Sequence, residues 1–173
     1  MVINIRLLKS TDERRGFSCG EIELDYFFQQ FAGQNQFKHY IGSTYIATDE
    51  KSIFGFINVS TGDLLRNSLP LKLRKRLPNY PLSILKITRL GVAIPFQNQG
   101  IARALLKAIL LLAIEQSQKV GCIGVVVDAK DKAKEFYKKL GFIELEVEQG
   151  LPKCYRTQTP LFLTLETIKK TLL

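Results

Sequence analysis

The sequence predicts an α+β fold in which strands and helices alternate through the second half of the chain. A long apolar strand at residues 82–94 is followed by helical spacing at about 100–119, a buried strand at 123–127 and a helix at 130–140. No linker, repeat or low-complexity tract divides the 173 residues, of which 46% are apolar. We therefore expect a single domain over residues 1–173.

The remaining elements follow from local apolar spacing and turn residues. Helical spacing covers residues 21–38, with a break expected near Gly33. Residues 69–78, bracketed by prolines, predict a short basic helix or turn, and Gly141 is a natural left-handed end for the helix at 130–140. The other predicted strands are residues 1–6, 44–48, 53–59, 142–147 and 161–165.

The apolar phase of the strand at 82–94 shifts along its length. The alternating groups are Leu82 and Ile84, then Leu85 and Ile87 on the other face, then Leu90, Val92 and Ile94 back on the first. A slip of one residue is typical of a β-bulge. A strand buried on both faces would produce the same pattern.

The chain is strongly basic. Lysine and arginine number 25 against 16 acidic residues, which gives a net charge of +9. This balance favours a polyanionic partner such as RNA, a nucleotide-bearing cofactor or an acidic protein, although a merely basic surface has the same composition. The chain lacks a run of about 18 apolar residues and a signal-peptide pattern, so we expect no membrane span and a cytoplasmic location.

The cysteine and histidine content supports neither a zinc site nor a disulfide framework. Cys19, Cys122 and Cys154 are scattered without a Cys-x-x-Cys pair, and the chain has one histidine. We expect each cysteine to be a small, reduced, buried or half-buried residue, in keeping with the cytoplasm, and we expect no metal.

The residues around Gly100 predict a phosphate-binding loop. The strand that carries Leu90, Gly91 and Val92 leads to a turn rich in side-chain amides, and a helix begins at Gly100. A helix start has unpaired backbone N–H groups and a positive dipole end, so it binds phosphate. Gly100 allows close approach of an anion, and the small Ala102 leaves that approach open. Ordinary close packing would also explain these two small residues.

Two separated motifs together resemble the GCN5-related N-acetyltransferase (GNAT) superfamily. Gln97-x-x-Gly100-x-Ala102 follows the strand, and Phe136-Tyr137-x-x-x-Gly141-Phe142 comes about 35 residues later. The resemblance implies the GNAT fold, with a mixed central sheet of six or seven strands flanked by helices and a splayed strand pair that holds acetyl-CoA. It also implies that acetyl-CoA is the cosubstrate and that an amine receives the acetyl group.

The resemblance implies roles for individual residues. Backbone groups at Leu90, Gly91 and Val92 would pair with the pantetheine arm, and the amides of the following loop would hold the pyrophosphate. The loop residues are Asn98, Gln99, Gly100, Ile101, Ala102 and Arg103. Tyr137 would act as the general acid that protonates the departing thiolate. From its spacing alone, Tyr137 is an aromatic core residue on a stripe with Ala133 and Leu140.

Two positions near these motifs are less defined. Many family members carry an asparagine seven residues before the tyrosine, where this chain has Lys130. No acidic residue stands out as a base; Asp128 is a candidate for a base or for the N-cap of the helix that follows it. A weakly basic amine would need no base.

Further motifs resemble the acetyltransferase toxins of bacterial toxin–antitoxin pairs. They are Phe17-Ser18-Cys19-Gly20-Glu21-Ile22-Glu23-Leu24-Asp25-Tyr26-Phe27, Gln34-Asn35-Gln36, Thr44-Tyr45, Leu77-Pro78-Asn79-Tyr80-Pro81 and Thr88-Arg89-Leu90-Gly91-Val92. This resemblance implies that the substrate is the α-amino group of an aminoacyl-tRNA, whose acetylation stalls translation. It also implies a ribbon-helix-helix antitoxin as a partner. An amine beside an ester is less basic than an ordinary amine, which would explain the missing base.

An RNA substrate would explain the positive net charge, because lysine and arginine side chains bind the phosphates of RNA. The candidate RNA contacts are Lys38, Lys72, Arg74, Lys75, Arg76 and Lys86. A solvated basic turn would look the same. Two other hypotheses stay open: an enzyme that acetylates a small amine, a polyamine or a protein amino group, and a module that binds acetyl-CoA without catalysis. Tyr137 argues against the latter. The oligomeric state stays open, including a homodimer.

Overall fold

The strands of the protein form one mixed sheet. The computed structural model describes residues 2–146 and 158–172. The strands are β1 (Asn4–Leu7), β2 (Ser43–Thr48), β3 (Ile53–Leu64), β4 (Leu82–Val92), β5 (Gly124–Lys130), β6 (Ile143–Glu144) and β7 (Gln158–Thr164). The helices are α1 (Ile22–Tyr26), α2 (Ala32–Gln34), α3 (Leu71–Arg74), α4 (Ile101–Lys119), α5 (Asp131–Lys139) and α6 (Leu165–Leu172). The sheet order is β1-β2-β3-β4-β5-β7-β6, which confirms the α+β class and a sheet of seven strands.

The described residues fall into two compact units. The first contains the residues up to Ser60 together with Ile87–Leu110, and the second contains Thr61–Lys86 and the residues from Leu111 onward. Strands β3 and β4 and helix α4 each contribute residues to both. The single domain over residues 1–173 stays a prediction.

Aromatic side chains fill the core of the first unit on one face of β3. Phe56 of β3 stacks on Phe28 with ring centroids 4.4 Å apart, and Phe17 meets both rings edge-on. The start of α4 packs on the other face, where Gly55 has no side chain and a Cβ would lie 3.1 Å from Ile101. Because consecutive residues of a strand point to opposite faces, β3 separates the aromatic cluster from the start of α4.

The core of the second unit lies around β5 and β7. These strands are antiparallel, with Val126 opposite Phe162, and Leu82 and Ile84 of β4 are buried in the same cluster. Helix α5 ends just before Gly141, which has a φ of +100°. This left-handed glycine confirms the predicted end of the helix.

The helical segment before β2 differs from the prediction at Gly33. The chain stays helical from Ile22 to His39, with π-helical turns at Phe27–Phe31 and Asn35–His39, and does not break. A Cβ on Gly33 would lie 2.9 Å from the guanidinium of Arg14, which donates to a carbonyl oxygen of this segment at 3.2 Å. The glycine permits a close approach across the helix and does not end it.

The apolar phase of β4 also differs from the prediction in its last part. The buried residues of the first part are Leu82, Ile84, Leu85 and Ile87, as the predicted slip requires. Leu90 and Val92 are only half-buried, whereas Gly91 is buried. A Cβ on Gly91 would lie 2.9 Å from the ring of Phe56. A glycine carries no apolar signal, so the sequence pattern could not detect this position. The β-bulge stays a prediction.

Several strand and helix boundaries in the structure differ from the predicted ones. Strand β3 extends to Leu64, β6 contains only Ile143–Glu144, and residue 147 lies outside the described residues. Helix α6 begins at Leu165, where a strand residue was expected. Strand β4 ends at Val92 because the chain enters a 3₁₀ turn containing Pro95, which has no N–H for the ladder. In the described part of the chain, no helix is long and apolar enough to cross a bilayer.

Candidate active site

The turn between β4 and α4 contains two left-handed residues. A 3₁₀ turn at Ile94–Phe96 follows β4, and Asn98 and Gly100 then adopt φ values of 61° and 84° before α4 begins. Asparagine is one of the few residues besides glycine that tolerates this region. The side-chain amide of Gln99 donates to the Pro95 carbonyl oxygen at 3.2 Å and closes the turn.

The first amides of α4 have no partner within the helix. The first bond runs from the Ala104 N–H to the Gly100 carbonyl oxygen at 3.1 Å, so the N–H groups of Ile101, Ala102 and Arg103 precede the helical ladder. The Ile101 side chain, 1% exposed, anchors the turn in the core. A Cβ on Gly100 would meet no atom within 4 Å. Unpaired amides, the positive end of a helix and open space fit the pyrophosphate of acetyl-CoA.

Gln97 ties the end of β4 to the loop before α1. Its side-chain amide donates to the carbonyl oxygens of Val92 at 3.0 Å and Cys19 at 2.9 Å. The Val92 carbonyl oxygen therefore already accepts one hydrogen bond, and the pairing of Leu90, Gly91 and Val92 with the pantetheine arm stays a prediction. The predicted loop begins at Asn98 and omits Gln97, although Gln97 is the first residue of the Gln-x-x-Gly-x-Ala motif.

The amides of Leu90 and Val92 point away from β3. The Ala93 N–H bonds to the Phe54 carbonyl oxygen of β3 at 2.8 Å. Successive amides of an extended chain alternate in direction, so the Leu90 and Val92 N–H groups point to the side of β4 opposite β3. An extended ligand adds to a strand through N–H groups that no neighbouring strand binds.

Tyr137 of α5 is an aromatic core residue by its packing. Its side chain is 4% exposed, and its ring lies edge-on to Phe136 at 5.1 Å and to Phe142 at 5.3 Å. Burial raises the pKa of Tyr137 to about 12. The hydroxyl therefore stays protonated throughout the neutral range, as a general acid must.

Asp128 lies inside β5, so its predicted role as a helix N-cap is wrong. The strand continues to Lys130, and Lys130 itself is the N-cap residue of α5, without a side-chain cap bond. The run of β-branched residues before Asp128 favours the longer strand. The Asp128 carboxylate pairs with the Lys86 ammonium at 2.9 Å.

The candidate RNA contacts differ in whether their charged groups are exposed or already paired within the protein. The exposed ones are Lys38, Lys72, Lys75 and Arg76. The Arg74 guanidinium instead donates to the Leu69 carbonyl oxygen at 2.6 Å and to the Glu146 carboxylate at 2.9 Å. Lys86 is held by Asp128. Lys38 belongs to the first unit, whereas the other five belong to the second.

An open cavity of about 750 Å³ in the first unit is lined by three acidic residues, Asp12, Glu13 and Glu50. An acidic pocket would suit a polyamine. Arg6, however, donates to the carboxylates of both Asp12 and Glu50 at 2.9 Å. Because Arg6 binds two of the three carboxylates and Lys51 also lines the cavity, the cavity does not favour a polyamine substrate.

The described cysteines are buried, as predicted. Cys19 and Cys122 are free thiols, and burial raises the pKa of Cys19 to about 11. A protonated, buried thiol is a poor nucleophile, which disfavours Cys19 as a covalent catalyst. Cys154 lies outside the described residues.

Comparisons with known proteins agree with this geometry. A family model described as Acetyltransferase (GNAT) domain matches residues 17–151. The tRNA-acetylating toxin of Mycobacterium tuberculosis is 24% identical over 140 residues, or 79% of this chain and 82% of the relative. The solved structure of AtaT complexed with acetyl-methionyl-tRNAfMet matches with a TM-score of 0.85 and 26% identity, over 99% of this chain and 100% of that chain.

A second structure of the same toxin extends the likeness in fold. A tyrosine-to-phenylalanine variant of AtaT, bound to the C-terminus of the antitoxin AtaR and to acetyl-CoA, matches with a TM-score of 0.76 and 23% identity. The match covers 98% of this chain and 97% of that chain. Together these similarities confirm the predicted fold.

Proposed function

The chain belongs to the GNAT acetyltransferase family, whose members use acetyl-CoA, and we propose that its acceptor is the α-amino group of an aminoacyl-tRNA. The observation that carries the acetyl-CoA part is the start of α4, where the amides of Ile101, Ala102 and Arg103 precede the first helical hydrogen bond and a Cβ on Gly100 would meet no atom within 4 Å. The acceptor part is supported by the two tRNA-linked relatives and by the net charge of +9. The product would be an N-acetyl-aminoacyl-tRNA, which cannot elongate a peptide through its blocked amine.

In this proposal the first unit holds the cosubstrate. The amides from Asn98 to Arg103 bind the pyrophosphate, and the N–H groups of Leu90 and Val92, which point away from β3, pair with the pantetheine arm, with Gly91 between them. The Gln97 side chain stabilises the site through its hydrogen bond to the Val92 carbonyl oxygen, which fixes the last residue of β4. Acetyl-CoA supplies an activated acetyl thioester; the protein contributes position and charge.

Tyr137 is proposed as the proton donor to the sulfur. The substrate nitrogen attacks the thioester carbonyl carbon, the carbon–sulfur bond breaks, and the new amide nitrogen loses one proton. A phenol with a pKa of about 12 releases its proton less readily than a thiol, with a pKa of about 8.5. The hydroxyl therefore acts first as a hydrogen-bond donor to the developing thiolate. The hydroxyl proton moves to the sulfur as the proton lost from nitrogen reaches the tyrosine oxygen, so that the thiol and the tyrosine are both neutral at the end.

A weakly basic acceptor removes the need for a strong base. The α-amino group of a peptide has a pKa near 8, against about 10.4 for a lysine side chain, and a neighbouring ester lowers it further. A large fraction of such an amine is uncharged at neutral pH. This chemistry accords with Asp128, the one carboxylate that the sequence offered as a base, being paired with Lys86.

The exposed cations are proposed to bind the RNA. Lys72, Lys75 and Arg76 lie on and just after the short helix α3, and Lys38 lies at the end of the helical segment before β2. Arg74 and Lys86 are weaker candidates. To bind a phosphate, each side chain would have to break its ion pair with a carboxylate of the protein.

The cellular setting belongs to the same proposal. We place the protein in the cytoplasm, where aminoacyl-tRNA is found, and assign it the role of a toxin whose activity an antitoxin restrains. AtaT, solved with part of its antitoxin AtaR, supports such a partner.

The test is an acetylation assay across acceptors. Purified protein is incubated with acetyl-CoA and tRNA charged in turn with each amino acid, and N-acetyl-aminoacyl ends are identified by mass spectrometry. Uncharged tRNA, polyamines and a lysine-rich protein serve as competing acceptors under the same conditions. We expect acetylation of one or a few aminoacyl-tRNAs. Turnover of a polyamine or protein with no acetylation of any charged tRNA would establish the small-amine or protein alternative.

A further inference from the structure

Arg89 is a half-buried cation without an acidic partner. It lies in β4, next to Leu90, and its guanidinium carbon is 3.8 Å from the centroid of the Phe27 ring. Within residues 2–146 and 158–172 it makes no ion pair and no side-chain hydrogen bond, and burial alone lowers its pKa from the usual arginine value. The contact with the ring offsets only part of the cost of removing the charge from water.

The four other half-buried arginines among the described residues all donate hydrogen bonds to oxygen atoms. Arg6 and Arg74 pair with the Asp12 and Glu146 carboxylates at 2.9 Å, and Arg14 and Arg66 donate to backbone carbonyl oxygens at 3.2 and 2.8 Å. Proteins rarely keep an arginine away from water without such a partner. The environment of Arg89 therefore calls for an anion that the chain does not itself supply.

The position of Arg89 separates it from the cofactor's phosphates. Phe27, below its guanidinium, belongs to the aromatic cluster that packs on the Phe56 side of β3. The start of α4, with the proposed pyrophosphate site, packs on the Gly55 side. These faces are opposite, because Gly55 and Phe56 are consecutive residues of one strand. An anion at Arg89 is therefore one that approaches from the face opposite α4.

We propose that Arg89 binds a phosphodiester of the single-stranded 3′ end of the aminoacyl-tRNA and so positions the aminoacyl group beside β4. This inference rests on the proposed function. Phe27 covers the guanidinium on one side, whereas phosphate oxygens bind at its N–H edge, so both contacts can be made together. Leu90, which follows Arg89, is one of the residues proposed to hold the pantetheine arm. Arg89 thus links the RNA backbone to the strand where acetyl transfer takes place.

The test uses Arg89→Met, which keeps an unbranched chain over Phe27 and removes the charge. Arg15→Met, at a side chain 95% exposed, removes the same charge from the surface and is the control. Each protein is assayed on aminoacyl-tRNA, on the aminoacylated trinucleotide CCA and on aminoacyl-adenosine, which has no phosphate. We expect Arg89→Met to lower kcat/KM about tenfold or more on both phosphate-bearing acceptors. On aminoacyl-adenosine it should match wild type, and Arg15→Met should match wild type on all three.

Stability and cofactor affinity give independent readouts. Since Arg89 lacks a carboxylate partner, Arg89→Met should unfold at the same temperature as wild type or higher, and should bind acetyl-CoA unchanged in calorimetry. A large drop in the unfolding temperature, or equal losses on all three acceptors, would make Arg89 a structural residue. A loss confined to acetyl-CoA affinity would assign the anion to the cofactor.

The failure of this inference differs from failure of the proposed function. If wild type acetylates aminoacyl-tRNA and Arg89→Met does so equally well, the role of Arg89 is refuted while the function stands. If wild type acetylates no aminoacyl-tRNA, both proposals fall.

Discussion

The Arg74 guanidinium donates a hydrogen bond to the Glu146 carboxylate over 2.9 Å. A second donation, to the carbonyl oxygen of the fully buried Leu69, fixes the start of the basic turn from the other side. The Arg74 side chain thus makes contacts that stabilise the fold, whereas the side chains of its neighbours Lys75 and Arg76 are exposed. The sequence could not separate these roles, because three consecutive cations look alike until their partners are known.

Neutralising the exposed cations should weaken RNA binding without harming the fold. The variant Lys72→Gln, Lys75→Gln, Arg76→Gln is expected to reduce tRNA affinity and flatten its dependence on salt. Each phosphate that the variant no longer binds should reduce the slope of log K against log salt by about 0.7 to 0.9. Filter binding over a salt series measures this slope. The control, Lys51→Gln, Lys139→Gln, Lys169→Gln, removes three exposed charges elsewhere. Equal effects of both triples would mean that only net charge matters.

Arg74→Gln should instead lower stability. The substitution leaves the Leu69 carbonyl oxygen without its side-chain donor and breaks the pair with Glu146. We expect a loss of about 1 to 2 kcal/mol in the free energy of unfolding, measured by urea denaturation. Acetyl-CoA affinity should be unchanged. An unaltered urea midpoint would show that Arg74 is available for RNA after all.

Gly100→Val should abolish acetyl-CoA binding at a modest cost in stability. The φ of 84° strains any β-branched residue, and the new side chain would occupy the open space above the free amides. Gly121→Val is a matched control, because Gly121 also has a positive φ, of 100°, and open space around its missing Cβ. Both variants should unfold at lower denaturant concentration than wild type, but only Gly100→Val should lose calorimetric binding. Intact binding in Gly100→Val would remove the basis for the pyrophosphate site.

Much of the fold could be predicted because periodic elements carry their own signal. Helix α4 presents buried residues at helical spacing, and Gly141 ends α5 with the left-handed φ that its position required. The missed features depend on residues without such a signal. Gly91 is buried under Phe56 and Gly33 lies against Arg14, so both glycines serve long-range contacts that spacing cannot register.

For the candidate site too, local features could be predicted from the sequence and long-range contacts could not. The loop from Asn98 to Arg103 was predictable because a local chain feature, the start of a helix after a strand, creates the amides. The role of Arg89 could not be predicted, because it depends on Phe27, a residue 62 positions away that only the fold brings to it. The cation itself was no distinctive signal, because the same strand also contains Lys86.

Tyr137→Phe should lose turnover and keep the cosubstrate. Phenylalanine preserves the ring contacts with Phe136 and Phe142, so the fold and acetyl-CoA affinity should remain. If the hydroxyl donates a proton to sulfur, kcat should fall by about 10² or more, measured at saturating acetyl-CoA. Tyr40→Phe, at a side chain 84% exposed, should have no effect. A wild-type kcat in Tyr137→Phe would confine the residue to the core.

The same variant isolates a dependence of stability on pH. Burial raises the pKa of Tyr137 to about 12 in the folded protein, against about 10 in the unfolded chain. The folded state therefore favours the neutral, protonated phenol, and its contribution is fully present below pH 10. It is lost as the pH rises from 10 to 12, by about 3 kcal/mol at most. Urea unfolding of wild type and Tyr137→Phe at intervals from pH 8 to 12 measures the difference, since other ionisations affect both proteins alike. We expect wild type to lose stability faster than the variant above pH 10. Parallel curves would mean that the folded protein ionises Tyr137 as easily as the unfolded chain, and the phenol would then not be sealed from water.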